Sequence, residues 1–319
     1  MNATIRSLRF VFVMMIFMSH FGYGDISAFD AGGDCGVAFF FLLSGFALSM
    51  GYGSRIDDGV FSYRHFMKRR LLKVYPLHLL SLALLLVLFH PEIGHKLLLN
   101  ALLLQSWIPD ANYYFSYNGV SWFLSSLLFH YLLFPVVWKW ANRFTLIAVV
   151  AFCAAAYVLV PYGRITAVLY VAPWMRFVDF FLGVVLYKLY RRSSGVNIPG
   201  WTEWFLVALL AASLASYPFV DAKLRNAPLY WCVLLPLIFV FVHEKGPVTK
   251  CLRCSLFQWL GSLSMPIFML HPIVLRSMFH FFNSMPYAVM LALCFAITVA
   301  LSWVVDRFLL SRIDEKLKS

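Results

Sequence analysis

The chain has 319 residues, 62% of them hydrophobic and 13% charged, with a mean hydropathy of +0.80. Soluble domains sit nearer about 45–50% apolar and about 25% charged, so a water-soluble globular domain is excluded, and runs of about 20 apolar residues match what a membrane helix must cross. The net charge of +12 does not indicate a nucleic-acid partner, because the basic residues sit in short segments beside apolar runs, where they act as topology signals.

The first span is expected over residues 8–24. It opens on basic residues like a signal peptide but lacks a small-x-small cleavage site, and reads as an uncleaved helix. Arg9 and His20 are eleven residues apart in it. At 100° per residue that is about 20° from three full turns, so the two share one face, roughly 16 Å apart along the axis. A histidine inside the membrane is costly unless it faces protein or a wet cavity. It titrates near neutral pH and is the commonest general base; the alternative is a ring bonded to a neighbouring backbone or hydroxyl group.

The second span, 34–52, carries Gly36-Val-Ala38-Phe-Phe-Phe-Leu-Leu-Ser44-Gly45-Phe46. Ser44 and Gly45 are small enough for close helix approach, and Ser44 offers a hydroxyl to a site. The third, 72–90, follows Lys68-Arg69-Arg70-Leu-Leu-Lys73-Val-Tyr75-Pro76. This cluster is either a topology anchor or a phosphate site, since Arg makes bidentate contacts to phosphate and Lys supplies a point charge. Residues 97–108 are apolar but short and suggest a re-entrant or interfacial helix.

Further spans are expected at 119–138, with Trp122 and His130, then 144–161 and 171–190. In the last of these Arg176 and Asp179, three apart, form an ion pair at helical spacing. The series ends with 201–218, 228–243, 256–279, which holds His271-Pro272, and 286–309. The expected fold is an all-α bundle of about ten transmembrane spans over residues 1–319, one domain with no soluble domain. Of the 26 Lys and Arg residues, twenty fall on the side of the N-terminus, four (Lys96, Arg164, Lys223, Arg225) on the other, and Arg176 and Arg276 within spans. That bias puts both termini in the cytoplasm. Six scattered cysteines imply no disulfide framework, and Cys251 and Cys254 have only His243 nearby, so no metal site is expected.

Taken in order, these segments resemble the acyltransferase-3 family of integral membrane acyltransferases, typified by bacterial O-acetyltransferases of surface polysaccharides. The likeness rests on Arg9-x10-His20, on Gly36 to Phe46, and on the basic run Arg69 to Pro76. Asn100…Gln105-Ser-Trp107, Trp122-Phe-Leu, Arg176…Phe180-Phe-Leu-Gly183 and Ser264…Leu270-His271-Pro272 complete it. Three positions depart from the family pattern. Ala38 replaces the second-helix Asp, Lys73 replaces an Arg, and Leu127 and Leu128 stand where many members carry a Glu.

The resemblance implies transfer of an acyl group, usually acetyl, from acyl-CoA (acetyl-CoA) to a sugar hydroxyl, with no metal. His20 is then the expected general base. Arg9, Arg69, Arg70 and Lys73 are expected to hold the CoA phosphates. Trp122, with Tyr117, is expected to stack on a sugar, and Ser44, Arg176 or His271 to orient His20 or stabilise the oxyanion. The expected setting is a bacterial cytoplasmic (inner) membrane. The expected partners are the lipid bilayer, acyl-CoA and a glycan or lipid-linked sugar, with no nucleic acid and with homo-oligomerisation left open. The rivals are a transporter or exporter of a glycan or lipid, disfavoured by the lack of an internal repeat, and a haem protein ligated by membrane histidines.

Overall fold

Apolar runs with few internal breakers leave the helix as the structure that satisfies its own backbone. The computed structural model is accordingly helical, without a strand, over the residues it describes: 2–22, 29–193, 196–282 and 284–317. Residues 23 and 24, at the expected end of the first span, and Lys318, in the basic C-terminal segment, lie outside them.

In chain order the helices are α1 (Ala3–His20), α2 (Asp30–Asp57), α3 (Tyr63–Phe89), α4 (His95–Ala101), α5 (Ala111–Tyr114), α6 (Trp122–Trp140), α7 (Arg143–Leu159) and α8 (Pro173–Arg191). They continue with α9 (Trp201–Ala215), α10 (Ala222–Arg225), α11 (Pro228–Val242), α12 (Pro247–Leu252), α13 (Ser255–Ser262), α14 (Ser264–Phe281), α15 (Tyr287–Val305) and α16 (Ser311–Lys316). A π-helical stretch, Asp306–Leu310, joins α15 to α16.

All ten expected segments are helical, but the span count differs from the expectation. Six helices are long and apolar enough to cross a membrane, or up to eight if each bent pair is one span. The bent pairs turn by 118° between α7 and residues 162–171 and by 67° between α13 and α14. Two segments fall short for physical reasons. Helix α9 has only 15 residues, and α8 carries Arg176, Asp179, Lys188 and Arg191. The short apolar segment 97–108 is the helix α4 and a 3-10 turn at Gln105–Trp107.

Between lipid-facing helices there is no hydrophobic gain from exchanging lipid for protein, so close backbone approach decides the packing. The most extensive pairing, α2 with α8, shows this. A Cβ on Gly45 would overlap the Phe180 carbonyl, and one on Gly183 would overlap the Leu42 carbonyl. The crossing is thus built on two glycines facing each other's backbones. Helix α1 lies on α2 in the same way, since a Cβ on Gly36 would come within 2.8 Å of the Phe12 carbonyl. Gly183→Ala is expected to destabilise by about 1–3 kcal/mol, the cost of overpacking a tight contact. Gly51→Ala, in open space, should be neutral or stabilising by up to about 1 kcal/mol through helix propensity. Thermal unfolding of the detergent-purified variants separates the two.

Candidate active site

Helix α1 ends at His20, and its last turn fixes the ring. His20 Nδ1 lies 2.8 Å from the Ile16 carbonyl oxygen. A carbonyl only accepts, so Nδ1 carries the proton and donates it, and in the neutral ring Nε2 keeps its lone pair. The bond to a neighbouring backbone group weighed as a purely structural alternative is therefore present, and it leaves the second nitrogen available for chemistry. His20 is exposed and lines a cavity of about 460 Å³ together with Ser19, Asp34, Phe115, Trp122, Tyr170, Tyr217 and Phe268.

His271 packs beside it, with the two rings edge to face at 5.0 Å between centroids. It is fully buried, and its Nδ1 lies 3.1 Å from the Ile267 carbonyl oxygen while its Nε2 has no partner among the described residues. Two rings on neighbouring helices thus share one arrangement, each with Nδ1 held by its own helix.

Asp34 was not singled out in the sequence. Ala38, at the position of the family's acidic residue, is fully buried among apolar side chains. Asp34 is one helical turn earlier, so it falls on the same side of α2, and it reaches the His20 cavity. The Tyr217 hydroxyl donates to it at 3.2 Å, and the Tyr170 hydroxyl also approaches it. Tyr170 and Tyr217 come from segments far apart in sequence, and no local pattern marks either.

Trp122 is in the cavity wall, packed on Tyr170 at 5.0 Å between centroids. A buried polar network holds this wall. Asn118 donates through Nδ2 to the Met269 carbonyl at 2.9 Å and to Ser81 Oγ at 3.2 Å, which ties the loop before α6 to the helix bearing His271. Asn100 accepts from Ser121 Oγ at 3.1 Å, and Gln105 donates to the same hydroxyl at 3.0 Å. His78 donates from Nε2 to the Asn100 carbonyl at 2.8 Å. The Asn100 and Gln105 motif is therefore scaffolding behind Trp122, and His78 belongs to it. His130 is likewise buried, donating to the Pro173 carbonyl at 3.2 Å. Tyr117 instead donates to the Glu92 carbonyl at 2.9 Å and does not line the cavity.

Arg176 sits outside the His20 cavity. It is 1% exposed and committed to Asp179 at 3.0 Å and to the Leu169 carbonyl at 2.7 Å, with its guanidinium 5.2 Å above the Tyr170 ring. The ion pair expected from spacing is present, and Arg176 reaches the cavity only through Tyr170.

The basic residues form a second cavity of about 520 Å³, where Arg9, Arg70, Lys73 and Ser44 meet Tyr131, Ser264, Asp306 and Asp314. Phe268 lines both this cavity and the His20 cavity. A third, of about 330 Å³, adds Arg69 and shares Ser44, Arg70 and Tyr131 with the second. Arg70 donates to the Tyr52 hydroxyl at 2.8 Å, and Lys73 pairs with Asp314 at 3.7 Å. The Nε atoms of Arg69 and Arg70 and the Ser264 hydroxyl are buried without partners, and Arg9 has no ion pair among the described residues. Ser44 donates within α2 to the Phe40 carbonyl at 2.7 Å, so its place is with the basic residues rather than with His20. Among the described residues no three His, Cys, Asp or Glu side chains are grouped to hold a metal.

Comparison with known proteins places the chain in a family. Acyltransferase MdmB of Streptomyces mycarofaciens is 28% identical over 276 residues, covering 76% of this chain and 68% of that protein. Protein 2 in the picA locus of Rhizobium radiobacter is 42% identical over 53 residues, covering 17% of this chain and 28% of that protein. No solved structure matches the chain. Residues 2–307 match the family described as an acyltransferase domain, so with its apolar helices this integral, multi-pass chain belongs to the acyltransferase-3 family.

Proposed function

We propose that the protein is an O-acyltransferase that moves an acyl group, in the first place acetyl, from acyl-CoA to a hydroxyl of a glycan or lipid-linked sugar, with His20 as general base. One observation carries this reading: a histidine with one nitrogen tied to its own helix faces a cavity that meets a basic cavity at Phe268. The unpartnered donors of Arg69, Arg70 and Ser264 and the unpaired Arg9 fit an anionic donor such as the CoA phosphates, because an oxyanion accepts several such bonds at once.

In the mechanism, the phosphates of the donor bind Arg9, Arg69, Arg70 and Lys73, and the thioester arm passes Phe268 into the His20 cavity. The acceptor hydroxyl oxygen attacks the thioester carbonyl as its proton moves to His20 Nε2. The carbon–sulfur bond breaks, and the proton passes from His20 to the departing thiolate. The Ile16 carbonyl stabilises the imidazolium that forms in between. Trp122 offers the sugar a flat apolar face. The bundle sits in a bacterial inner membrane with the Arg9 end and both termini in the cytoplasm, so donor and acceptor enter from opposite sides.

Purified protein with acetyl-CoA and a glycan acceptor should release free CoA and add an acetyl mass to the product. Replacing Arg69 and Arg70 together by Ala is expected to raise KM for acyl-CoA about tenfold or more, the cost of losing charge-assisted contacts, with KM for the acceptor and expression unchanged. An unchanged donor KM would return both residues to a role in topology alone.

A further inference from the structure

The His20 cavity has a charge character opposite to its neighbour. Among the described residues no Lys or Arg lines it, whereas Asp34 and Asp30 do, among the aromatic rings of Phe115, Trp122, Tyr170, Tyr217 and Phe268. Asp30 is in the first turn of α2, where a carboxylate complements the helix dipole. Asp34 is a full turn further in, has no capping bond and forms no ion pair among the described residues; its donors are the neutral hydroxyls of Tyr217 and Tyr170. A carboxylate at membrane depth is expensive unless a cation or several donors satisfy it. Carboxylate and aromatic faces together are the chemistry that receives an alkylammonium group. A second unsatisfied polar group lies next to the cavity wall. His271, between the lining residues Phe268 and Pro272 and edge to face with His20, keeps a fully buried Nε2 acceptor with no partner among the described residues.

We infer that the acceptor is a hydroxyl compound carrying a protonated amine, such as an amino sugar, whose ammonium is held by Asp34 in the cavity that Phe115 and Trp122 also line. This rests on the acyl-transfer reading of the same cavity and names the class of molecule that reading leaves open. It also explains selectivity for oxygen. An ammonium held by a carboxylate has no lone pair with which to attack the thioester, while the hydroxyl oxygen beside His20 attacks and gives up its proton to Nε2. The acyl group goes to oxygen, the thiolate leaves as the thiol, and the amine is unchanged.

The test uses the full-length protein in nanodiscs and two probes below their micellar concentrations, octyl N,N-dimethylglucosaminide and octyl glucoside. Binding without donor is followed by thermal shift at pH 7. The wild type is expected to bind the amine at least tenfold more tightly, and Asp34→Asn to bring the two affinities within twofold. Equal affinities in the wild type, or an amine preference that survives Asp34→Asn, would overturn the inference, and the wild-type comparison needs no variant to fold. Acetyl-CoA is then added to the same preparations. His20-dependent transfer to both glycosides without preference for the amine removes this inference alone, whereas transfer that ignores His20→Ala removes the general-base reading.

Discussion

His20→Ala is expected to lower acyl transfer by about 10²–10⁴-fold, the range for loss of a positioned general base, with the protein still inserted and folded. The fold should survive because the His20 ring is exposed, bonds to its own helix and is not part of a buried network. Free imidazole should restore part of the rate by entering the space the ring leaves, and Phe in its place should not be rescued. The measurement is release of free CoA with acceptor present, set against correct membrane insertion. Near wild-type transfer in the Ala variant would mean that some other group takes the proton.

Arg176→Ala is expected to have the largest effect on stability, a loss of about 3–5 kcal/mol. Its partner Asp179 is 1% exposed, and removing one member of a buried pair leaves an uncompensated charge in a low-dielectric setting. The loss extends beyond the pair, because Arg176 also donates to the Leu169 carbonyl and covers the Tyr170 ring. Adding Asp179→Asn should recover part of it, since Asn removes the stranded charge and still accepts from the Trp231 indole N–H. Thermal unfolding in detergent decides the matter. A Tm within a few degrees of wild type for Arg176→Ala would show that the pair does not anchor α8.

Patterns confined to one helix were legible before the fold was known. The eleven-residue interval between Arg9 and His20 is a property of helical pitch alone, and α1 carries both residues into adjoining cavities. The spacing of Arg176 and Asp179 and the small residue Gly45 are legible for the same reason. The cavity wall was not. Tyr170 comes from a π-helical segment after a 118° bend and Tyr217 from a 3-10 turn after α9, and neither departs from an ordinary apolar background. Asp34 belongs to none of the motifs in the sequence, although helical periodicity places it on one face with Ala38. The expected ten spans exceed by two the helices that are long and apolar enough to cross a membrane when each bent pair counts as one span, because average hydrophobicity along the sequence does not register the four charges of α8 or the shortness of α9.

Helix α1 is, finally, a rigid spacer whose phase matters as much as its length. One residue inserted between Arg9 and His20 would leave the basic cluster untouched yet swing the imidazole by about 100° and advance it by about 1.5 Å. A four-residue insertion would restore the azimuth to within about 40° but lengthen the reach by about 6 Å. Extending the segment therefore separates two demands that point substitutions cannot: the direction in which His20 faces, and the distance a donor must span from the basic cavity.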